Sequence, residues 1–289
     1  MTAYVWLNDE IVESQTAAIN VFDHGFTVAD GVFETLKVQD GQVFALDRHL
    51  ARLQTSADIL GIGPLDKNLL IKATDEVLAA NPKLEHGRLR ITVSSGNGPL
   101  GSDRLESPLT QVVAMSQTSP WPDTTSVVVV PWTRNERSAI TGAKTTSYAE
   151  NVVALEAAHK AGFSEAIFTD SRGRISEGTG TNIFIVTNSV VMTPAIDTGL
   201  LQGITRNLVI EWAKVAGIDI QQTHFTIADL LEADEIFITS STRDVHPVTE
   251  LGVMATDGVV ISRISKVIGP HTATLQNIFS SRSTAEMNP

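Results

Sequence analysis

The sequence contains no cysteine. Disulfide bonds, thiolate catalysis and cysteine-ligated zinc are therefore excluded for this chain. Long apolar runs are missing as well, since none approaches the ~20 residues that a helix needs to cross a bilayer. The N-terminal letters MTAYVWLNDE lack the basic and apolar segments of a secretion signal. We therefore expect a cytoplasmic protein with no membrane partner.

Basic residues are scarce: 21 Lys and Arg stand against 33 Asp and Glu, for a formal net charge of -12. Because nucleic acid requires basic surface to neutralise its phosphates, we expect no nucleic-acid partner. The seven histidines show no metal-ligand spacing, and no metal site is predicted. The letters GNGPLG, residues 96–101, fit a dinucleotide motif, but they do not open a helix, so that interpretation is weak.

Hydrophobic residues make up 42% of the 289-residue chain, as is typical of globular proteins. Strand and helix patterns are mixed throughout, which predicts an α/β (α+β) fold of two domains. The letters SQTSPWPDTTS are rich in Ser, Thr and Pro and indicate a linker, although a long surface loop is the alternative. We predict an N-terminal domain over residues 1–118, a linker over 119–125 and a C-terminal domain over 126–289.

Local signals predict several elements. Hairpin turns are expected at Asn8–Asp9 and Asp40–Gly41. The letters LDRHLARLQTSADILGI predict an amphipathic helix that Gly61 ends. The polar C-terminal letters SSRSTAEMNP predict a frayed tail.

Lys144 lies in GAKTTSYAEN, between a predicted strand and a predicted helix. A cation near a helix N-terminus is mildly unfavourable, so its position calls for a reason. A lysine that forms a Schiff base with an aldehyde must have a neutral amine, which a desolvated site provides. The alternative is a lysine that points into water at the start of a helix.

Three other stretches carry candidate residues. Glu177, in ISEGTGTNIF, is a carboxylate that could pair with a protonated ring nitrogen, although a plain hairpin turn explains it equally well. Ile204 and Thr205 open a predicted helix, and Thr205 is its predicted N-cap. The start of this helix suits a phosphate. The alternative is an ordinary helix cap that binds no ligand. The Ser241–Thr242 turn and Arg52, on the first amphipathic helix, are further candidates for holding an anion. The alternative for Arg52 is a solvated charge on the helix surface.

Taken together, GAKTTSYAENVVAL, SEGTGTNIF, LLQGITRNL, TSSTRDVHPV, DHGFTVADGVFETLKVQDG and DRHLARLQTSA resemble the ordered signature of the class IV, fold-type IV, pyridoxal-phosphate enzymes. The resemblance covers nearly the whole chain. It implies a small N-terminal α/β domain, a larger C-terminal pseudo-barrel domain that anchors the cofactor, and a homodimer. The family includes branched-chain aminotransferases, D-amino acid aminotransferases and 4-amino-4-deoxychorismate lyases.

The same resemblance implies roles for individual residues. Lys144 would form the internal aldimine with pyridoxal 5'-phosphate and then transfer protons. Glu177 would keep the pyridine nitrogen protonated, and Tyr148 would contact the region of the ring hydroxyl. The residues implied to hold the phosphate are Arg52, Ile204, Thr205, Ser241 and Thr242.

Within the family, Thr35 and KTTSYAENVVAL are similar to the lyase group, and branched-chain enzymes usually have a tyrosine near the position of Val28. The first interpretation is therefore a lyase that releases pyruvate and 4-aminobenzoate in folate synthesis. The alternatives are a class IV aminotransferase acting on branched-chain or D-amino acids, and a non-catalytic binding protein. GNGPLGSDR departs from the lyase pattern, so Arg90 and Arg104 are considered as contacts for the carboxylate of a small amine substrate.

Overall fold

The computed structural model describes residues 3–289, which form two compact units. The first unit contains the described residues up to Pro120 together with Ala143–Tyr148 and Glu286–Pro289. The second unit contains Trp121–Gly142 and Ala149–Ala285. The segment that carries Lys144 thus belongs to the first unit, although it lies within the predicted C-terminal domain, residues 126–289. Backbone hydrogen bonds to a first-unit strand, described below, cause this difference.

The first unit is an antiparallel sheet with helices packed on one face. Its strand order is β2-β1-β6-β5-β3-β4. The turns after Leu7 and Gln39 confirm both predicted hairpins. The elements are β1 (Tyr4–Leu7), β2 (Glu10–Glu13), α1 (His24–Thr27), β3 (Gly31–Gln39), β4 (Gln42–Val43), α2 (Leu46–Leu60), α3 (Lys67–Ala80), β5 (His86–Ser94) and β6 (Thr110–Gln117).

Helix α2 forms where the sequence predicts it. Leu50, Leu53 and Ala57 recur at helical spacing and are buried against the sheet. Gly61 ends the helix with φ 69°, a left-handed conformation that glycine adopts without a steric penalty. Alternate residues of β3 and β5 complete this core, among them Val32, Leu36, Leu89 and Ile91.

The second unit is a nine-stranded mixed sheet with helices. Its order is β12-β11-β10-β13-β14-β7-β8-β9, and β15 pairs with β14. Among the described residues, no helix has the length and apolar character needed to cross a membrane. The elements are β7 (Thr125–Arg134), α4 (Ala149–Lys160), β8 (Glu165–Asp170), β9 (Ile175–Gly178), β10 (Asn182–Thr187), β11 (Val190–Pro194), α5 (Ile204–Val215), β12 (Ile220–Thr223), α6 (Ile227–Glu232), β13 (Glu235–Ser240), β14 (Asp244–Met254), β15 (Val260–Ser265) and α7 (Pro270–Ala285), with a 3₁₀ turn at Ile196–Thr198.

Strand β7 is buried on both faces, which explains its continuous apolar run. Val127 and Val129 belong to one core cluster, and Val128 and Val130 to the other. Strands with cores on both sides have this composition. At the edges of the sheet, the Ile175 N–H on β9 donates to the carbonyl of Phe225, just after β12 (2.9 Å). The two edges therefore approach each other, and the sheet curls towards a barrel.

The C-terminal tail is ordered, so the prediction that it frays is wrong. The Met287 carbonyl accepts from Ala45 N (2.7 Å), and the Pro289 carbonyl accepts from Arg48 Nε (2.7 Å). Asn288 Oδ1 accepts from Asp47 N (3.0 Å). Ala45 is the N-cap of α2 and has no capping side chain. The tail therefore satisfies N–H groups that a helix start leaves without intrahelical partners.

Candidate functional site

The backbone around Lys144 is fixed beside the start of β3. Lys144 N donates to Ser56 Oγ (3.0 Å), and Phe33 N donates to the Lys144 carbonyl (3.0 Å). Thr145 forms a β-bridge with Val32. The 144–146 segment therefore behaves as a short additional strand, and the base of the lysine side chain has a defined position.

Gly31 makes this close approach possible. Thr146 N donates to the Gly31 carbonyl (2.8 Å). A Cβ atom at position 31 would lie 2.8 Å from the carbonyl oxygen of Val93 and 3.2 Å from Thr146 Oγ1. Any larger residue would push the lysine segment away from the sheet, so glycine is required here.

The Lys144 amine lies among aromatic rings and another cation. Its Nζ is 4.5 Å from the ring centroid of Phe33 and 5.7 Å from that of Tyr148. The two rings meet edge to face, with centroids 5.2 Å apart. The Arg90 guanidinium carbon is 3.7 Å from the Phe33 centroid. Lys144 and Arg90 thus contact the same buried ring, and a guanidinium is a group suited to a carboxylate.

Beside the lysine segment, the first unit buries a charged cluster on the α2 face of β3. Glu34 is fully buried. Its Oε1 accepts from Arg52 Nε (2.7 Å), and its Oε2 accepts from Arg52 Nη2 (2.7 Å) and from His49 Nδ1 (2.6 Å). Arg52, predicted to hold phosphate, is thus oriented by a bidentate pair with Glu34.

The electrostatics of this cluster follow from burial and from its cations. Burial by itself raises the pKa of Glu34, but the charges and hydrogen bonds of Arg52 and His49 outweigh it and bring the pKa to about 2. Burial lowers the pKa of His49, and Arg52 and Lys144 lower it further, whereas Glu34 opposes the shift. Glu34 is therefore ionised at neutral pH, and Lys144 lies within the electrostatic range of this cluster.

The predicted substrate residues divide into two groups. Thr35 on β3 lies directly opposite Arg90 on β5, so their side chains share the sheet face on which Phe33 lies. Arg90 Nε donates to Thr92 Oγ1 (3.1 Å). Arg104, by contrast, forms a bidentate pair with Asp30, at 2.6 and 2.5 Å. This pair already engages the charge of Arg104.

In the second unit, Glu177 lies on β9 with little exposure. Its Oε2 accepts from Leu201 N (2.9 Å), and its Oε1 is 3.2 Å from Arg134 Nε. Burial lowers the pKa of Arg206 to about 10, and the charge of Glu177 opposes that shift. Two arginines thus hold positive charge near this carboxylate, while Leu201 N ties it to the segment that leads into α5.

The start of α5 differs in one respect from the prediction. Gly203 is the N-cap, with extended backbone and no capping side-chain bond, so the prediction of Thr205 as N-cap is wrong. Thr205 lies inside the first turn and is buried. Because Gly203 has no side chain to cap the helix, the N–H groups of the first turn are available to an anion.

The helix start and the Ser241–Thr242 turn lie at the same end of the sheet. Asn182, the first residue of β10, pairs with Thr239 near the end of β13, immediately before that turn. Asn182 Nδ2 donates to the Leu201 carbonyl (2.9 Å). A Cβ atom on Gly203 would lie 2.1 Å from Asn182 Oδ1, so only glycine lets the helix start at this place.

The residues of each unit fit the predicted cofactor. In the second unit, the buried Thr239 Oγ1 has no hydrogen-bond partner among the described residues. Its strand partner Asn182 contacts Gly203 at the start of α5. Hydroxyls, backbone N–H groups and a helix dipole form a donor set suited to phosphate. The carboxylate of Glu177 is an anion of the kind that a protonated ring nitrogen would require. In the first unit, Lys144 and Tyr148 lie together.

Several residues of these sites were missed in the sequence, notably Glu34, His49, Phe33 and Arg134. Glu34 carried a detectable signal, because it occupies the position between Val32 and Leu36 that strand alternation assigns to the core. A charge at such a position must be paired. Arg134 carried no signal, since it meets Glu177 only through the pairing of distant strands.

A family model described as Amino-transferase class IV matches residues 31–251. A putative branched-chain-amino-acid aminotransferase of Methanocaldococcus jannaschii is 36% identical, covering 95% of this chain and 94% of the relative. A D-alanine aminotransferase of Listeria innocua is 31% identical, with the same coverage of both chains. An aminodeoxychorismate lyase of Bacillus subtilis is 30% identical, covering 86% of each.

Solved structures show the same fold. The branched-chain aminotransferase of Thermoproteus uzoniensis, with norvaline, matches with a TM-score of 0.88 at 29% identity, over 97% of this chain and 94% of that one. A T.th. branched-chain amino acid aminotransferase with pyridoxamine 5'-phosphate matches with a TM-score of 0.86 at 26% identity, over 99% and 95%. These matches confirm the predicted fold class.

Proposed function

Because this chain belongs to the class IV aminotransferase family, and so is a pyridoxal-phosphate-dependent enzyme, we propose that it is an aminotransferase for branched-chain amino acids. In the proposed reaction the amino group of the amino acid passes to a 2-oxo acid. The observation that carries the proposal is the 36% identity to the Methanocaldococcus jannaschii relative over 95% of this chain. Among the interpretations of the sequence, this alternative is better supported than the lyase.

The lysine site of the first unit supports a substrate that carries a carboxylate. Arg90 and the Lys144 amine both lie over the ring of Phe33. We assign the substrate carboxylate to Arg90, with Thr35 beside it on the same sheet face. Phe33 supplies an apolar surface for an aliphatic side chain. Amino acids and 2-oxo acids both have this combination of groups.

We assign the phosphate of the cofactor to Arg52, Ile204, Thr205, Ser241 and Thr242. Glu34 and His49 then act as positioning residues, because the bidentate pair fixes the plane of the Arg52 guanidinium. Gly203 supports the same role by leaving the first-turn N–H groups accessible. Tyr148 is assigned to the neighbourhood of the ring hydroxyl.

When bound, pyridoxal phosphate supplies an aldehyde that condenses with amines and a ring that withdraws electrons from the adjacent carbon. Lys144 is assigned as the nucleophilic amine and as the group that moves the proton at the substrate carbon. Glu177 would hold a proton on the ring nitrogen of the bound cofactor, and Leu201 N and Arg134 keep its carboxylate in place.

An exposed apolar surface in the first unit supports the proposed homodimer. Val21 is 66% exposed and Phe26 is 77% exposed. Both line a cavity of about 380 Å³ that also reaches Thr146, two residues from Lys144. Exposed apolar surfaces of this kind mark protein contacts. We propose that a second copy of the chain covers this surface, which would bring the partner close to the lysine segment.

Product formation tests the proposed reaction. The protein with pyridoxal phosphate is incubated with 2-oxoglutarate and, in separate reactions, with L-leucine, L-valine, L-isoleucine or D-alanine. Glutamate should form with the branched-chain substrates. Aminodeoxychorismate is supplied in parallel, because the relative from Bacillus subtilis keeps the lyase as a second candidate. Release of 4-aminobenzoate, or glutamate from D-alanine alone, would contradict the proposal.

Replacing Lys144 tests the assigned nucleophile. Lys144→Ala should lower the rate at least about 10³-fold, because no other group can supply the amine at that place. The matched control is Lys160→Ala, since Lys160 is an exposed lysine paired with Glu156. The control should keep its rate within about twofold, as is usual for exposed positions. Equal rates in the two variants would exclude Lys144 from the chemistry.

A further inference from the structure

A second cleft lies in the second unit, and its lining residues are not among those assigned to the cofactor. Its volume is about 480 Å³, and it is lined by Trp121, Leu155, His159, Phe163 and Arg243, among others. A volume of this size accommodates a molecule as large as an amino acid. None of these five residues has a role in the proposed reaction.

Arg243 provides a positive charge at this cleft. Its Nη1 donates to Thr125 Oγ1 (3.2 Å) and its Nη2 to the Ser164 carbonyl (3.5 Å), and both acceptors are neutral. The guanidinium carbon lies 3.8 Å from the ring centroid of Trp121. Within the described part of the chain, no carboxylate forms an ion pair with Arg243. The cation is oriented but not neutralised.

Glu165, the acidic side chain whose charge acts on Arg243, is engaged in other hydrogen bonds. Glu165 Oε1 accepts from Ala166 N (2.9 Å) and from Thr179 Oγ1 (2.5 Å), and its Oε2 accepts from Thr181 Oγ1 (3.3 Å). Burial lowers the pKa of Arg243, and the charge of Glu165 opposes this shift. A desolvated guanidinium with neutral partners is a favourable place for an external anion.

The remaining walls of the cleft are apolar and firmly placed. Phe163 is buried, and its ring packs against Gly252, where a Cβ atom would lie 2.4 Å from Phe163 Cζ. Arg263 lies on the same ring, 4.3 Å from its centroid, but its guanidinium is paired with Glu250 (2.8 Å). Leu155, from α4, is partly buried and adds aliphatic surface.

We propose that this cleft binds a small organic carboxylate, with its carboxyl group on Arg243 and its apolar part against Trp121, Leu155 and Phe163. His159 offers a further hydrogen-bond donor at the rim. The residues of this cleft differ from those assigned to the substrate, among which Arg90 is assigned to the carboxylate. Its occupancy therefore does not depend on whether the proposed reaction is correct.

Calorimetric titration of the cofactor-loaded protein with phenylacetate tests the site. Saturable binding of one molecule per chain is expected, and acetate should bind more weakly because it lacks an apolar part. Arg243→Met should weaken phenylacetate binding at least about tenfold, which corresponds to about 1.4 kcal/mol. Arg263→Met is the matched control, because it changes an arginine on the same phenylalanine ring whose charge is already paired.

A third variant separates the cleft from the substrate site. Arg90→Met should leave phenylacetate binding within about twofold of the wild type, whereas a tenfold loss there would show that phenylacetate binds beside Lys144. If Arg243→Met does not fold, Leu155→Glu places a repelling charge in the cleft and should also weaken binding about tenfold. The proposal is overturned if the wild type shows no saturable binding up to about 20 mM, or if the folded cleft variants bind as the wild type does.

Discussion

At the residue scale, the carboxylates of Glu34 and Glu177 are both buried or nearly buried. They differ in their proposed roles in the reaction. Glu177 is assigned to the ring nitrogen of the cofactor, and it has Leu201 N on one oxygen and Arg134 near the other. Glu34 faces Arg52 and His49 and orients them. Replacing Glu177 should therefore affect turnover, and replacing Glu34 should affect stability and cofactor binding.

Glu177→Gln tests the first of these roles. The substitution preserves the shape of the side chain and removes the charge that is assigned to hold the ring proton. Cofactor occupancy should persist, because Lys144 and the phosphate contacts lie elsewhere. The rate per bound cofactor should fall at least about 10²-fold, or about 2.7 kcal/mol. The measurement is the turnover of protein with a known cofactor content, together with a melting curve.

Glu165→Gln is the matched control, since Glu165 is a buried carboxylate of the same unit whose oxygens accept hydrogen bonds from Ala166, Thr179 and Thr181. It should lose stability and keep its turnover. A Glu177→Gln variant that turns over at nearly the wild-type rate with full occupancy would remove Glu177 from the proposed mechanism.

Glu34→Gln tests the charged cluster through pH. The pKa of Glu34 is about 2 in the folded protein, below the ordinary 4.5. Its ionised form therefore stabilises the fold above about pH 4.5, and that contribution is lost as the pH falls towards 2. The contribution amounts to about 3 kcal/mol. At pH 7 the variant should lose about 3–5 kcal/mol, because Arg52 is left without its partner.

Urea unfolding of the wild type and Glu34→Gln between pH 3 and pH 7 measures this effect. The two stability curves should converge as the pH falls, because protonation removes the same charge from the wild type. Glu76→Gln is the control, since Glu76 pairs at the surface with Lys72 at 3.6 Å, and exposed pairs contribute about 1 kcal/mol or less. Parallel curves for wild type and Glu34→Gln would contradict the assignment.

At the scale of elements, the start of α5 is tightly packed. Gly203 is its N-cap, and its backbone lies against the carboxamide of Asn182. The same carboxamide holds the Leu201 carbonyl, and Leu201 N holds Glu177. One short segment thus sets the position of the helix N-terminus and of the carboxylate together.

Gly203→Ala should displace this helix start. The added Cβ atom would overlap Asn182 Oδ1, and the backbone must move to relieve the overlap. Cofactor affinity should fall at least about tenfold, or about 1.4 kcal/mol. Absorbance titration of the apoprotein with pyridoxal phosphate measures the loss.

The control is Gly180→Ala, because a Cβ atom on Gly180 would meet nothing within 4 Å and its φ is not left-handed. That variant should bind the cofactor within about twofold of the wild type. If both glycine variants bind it equally well, the α5 start does not hold the phosphate.

At the scale of the whole molecule, the proposed dimer accounts for an apolar surface that the first unit leaves exposed. Phe26→Glu places a charge on this surface and should shift the dimer towards monomers at micromolar concentration. Light scattering coupled to gel filtration measures the mass. Ile261→Glu is the control, because Ile261 is equally apolar and 67% exposed but belongs to β15 in the second unit. A wild type that is active as a monomer would overturn the dimer.

The sequence by itself determined the elements whose causes are local. The hairpin at Asp40–Gly41 and the end of α2 at Gly61 depend on backbone conformations that glycine adopts readily. The family, its cofactor and the fold class were also available from the sequence, because several ordered motifs occur together. The motifs alone did not determine the reaction, because they were first interpreted as those of a lyase, whereas the similarity to known proteins favours an aminotransferase.

Only the tertiary structure decided which side chains meet. The lysine segment joins the first unit through its bonds to Gly31 and Phe33, although the chain order suggests the second. Glu34 and Arg52 are 18 residues apart, and Glu177 and Arg134 lie on different strands. Such pairs depend on strand register and on helix packing, and these are set by the burial of the whole core rather than by any local run of residues.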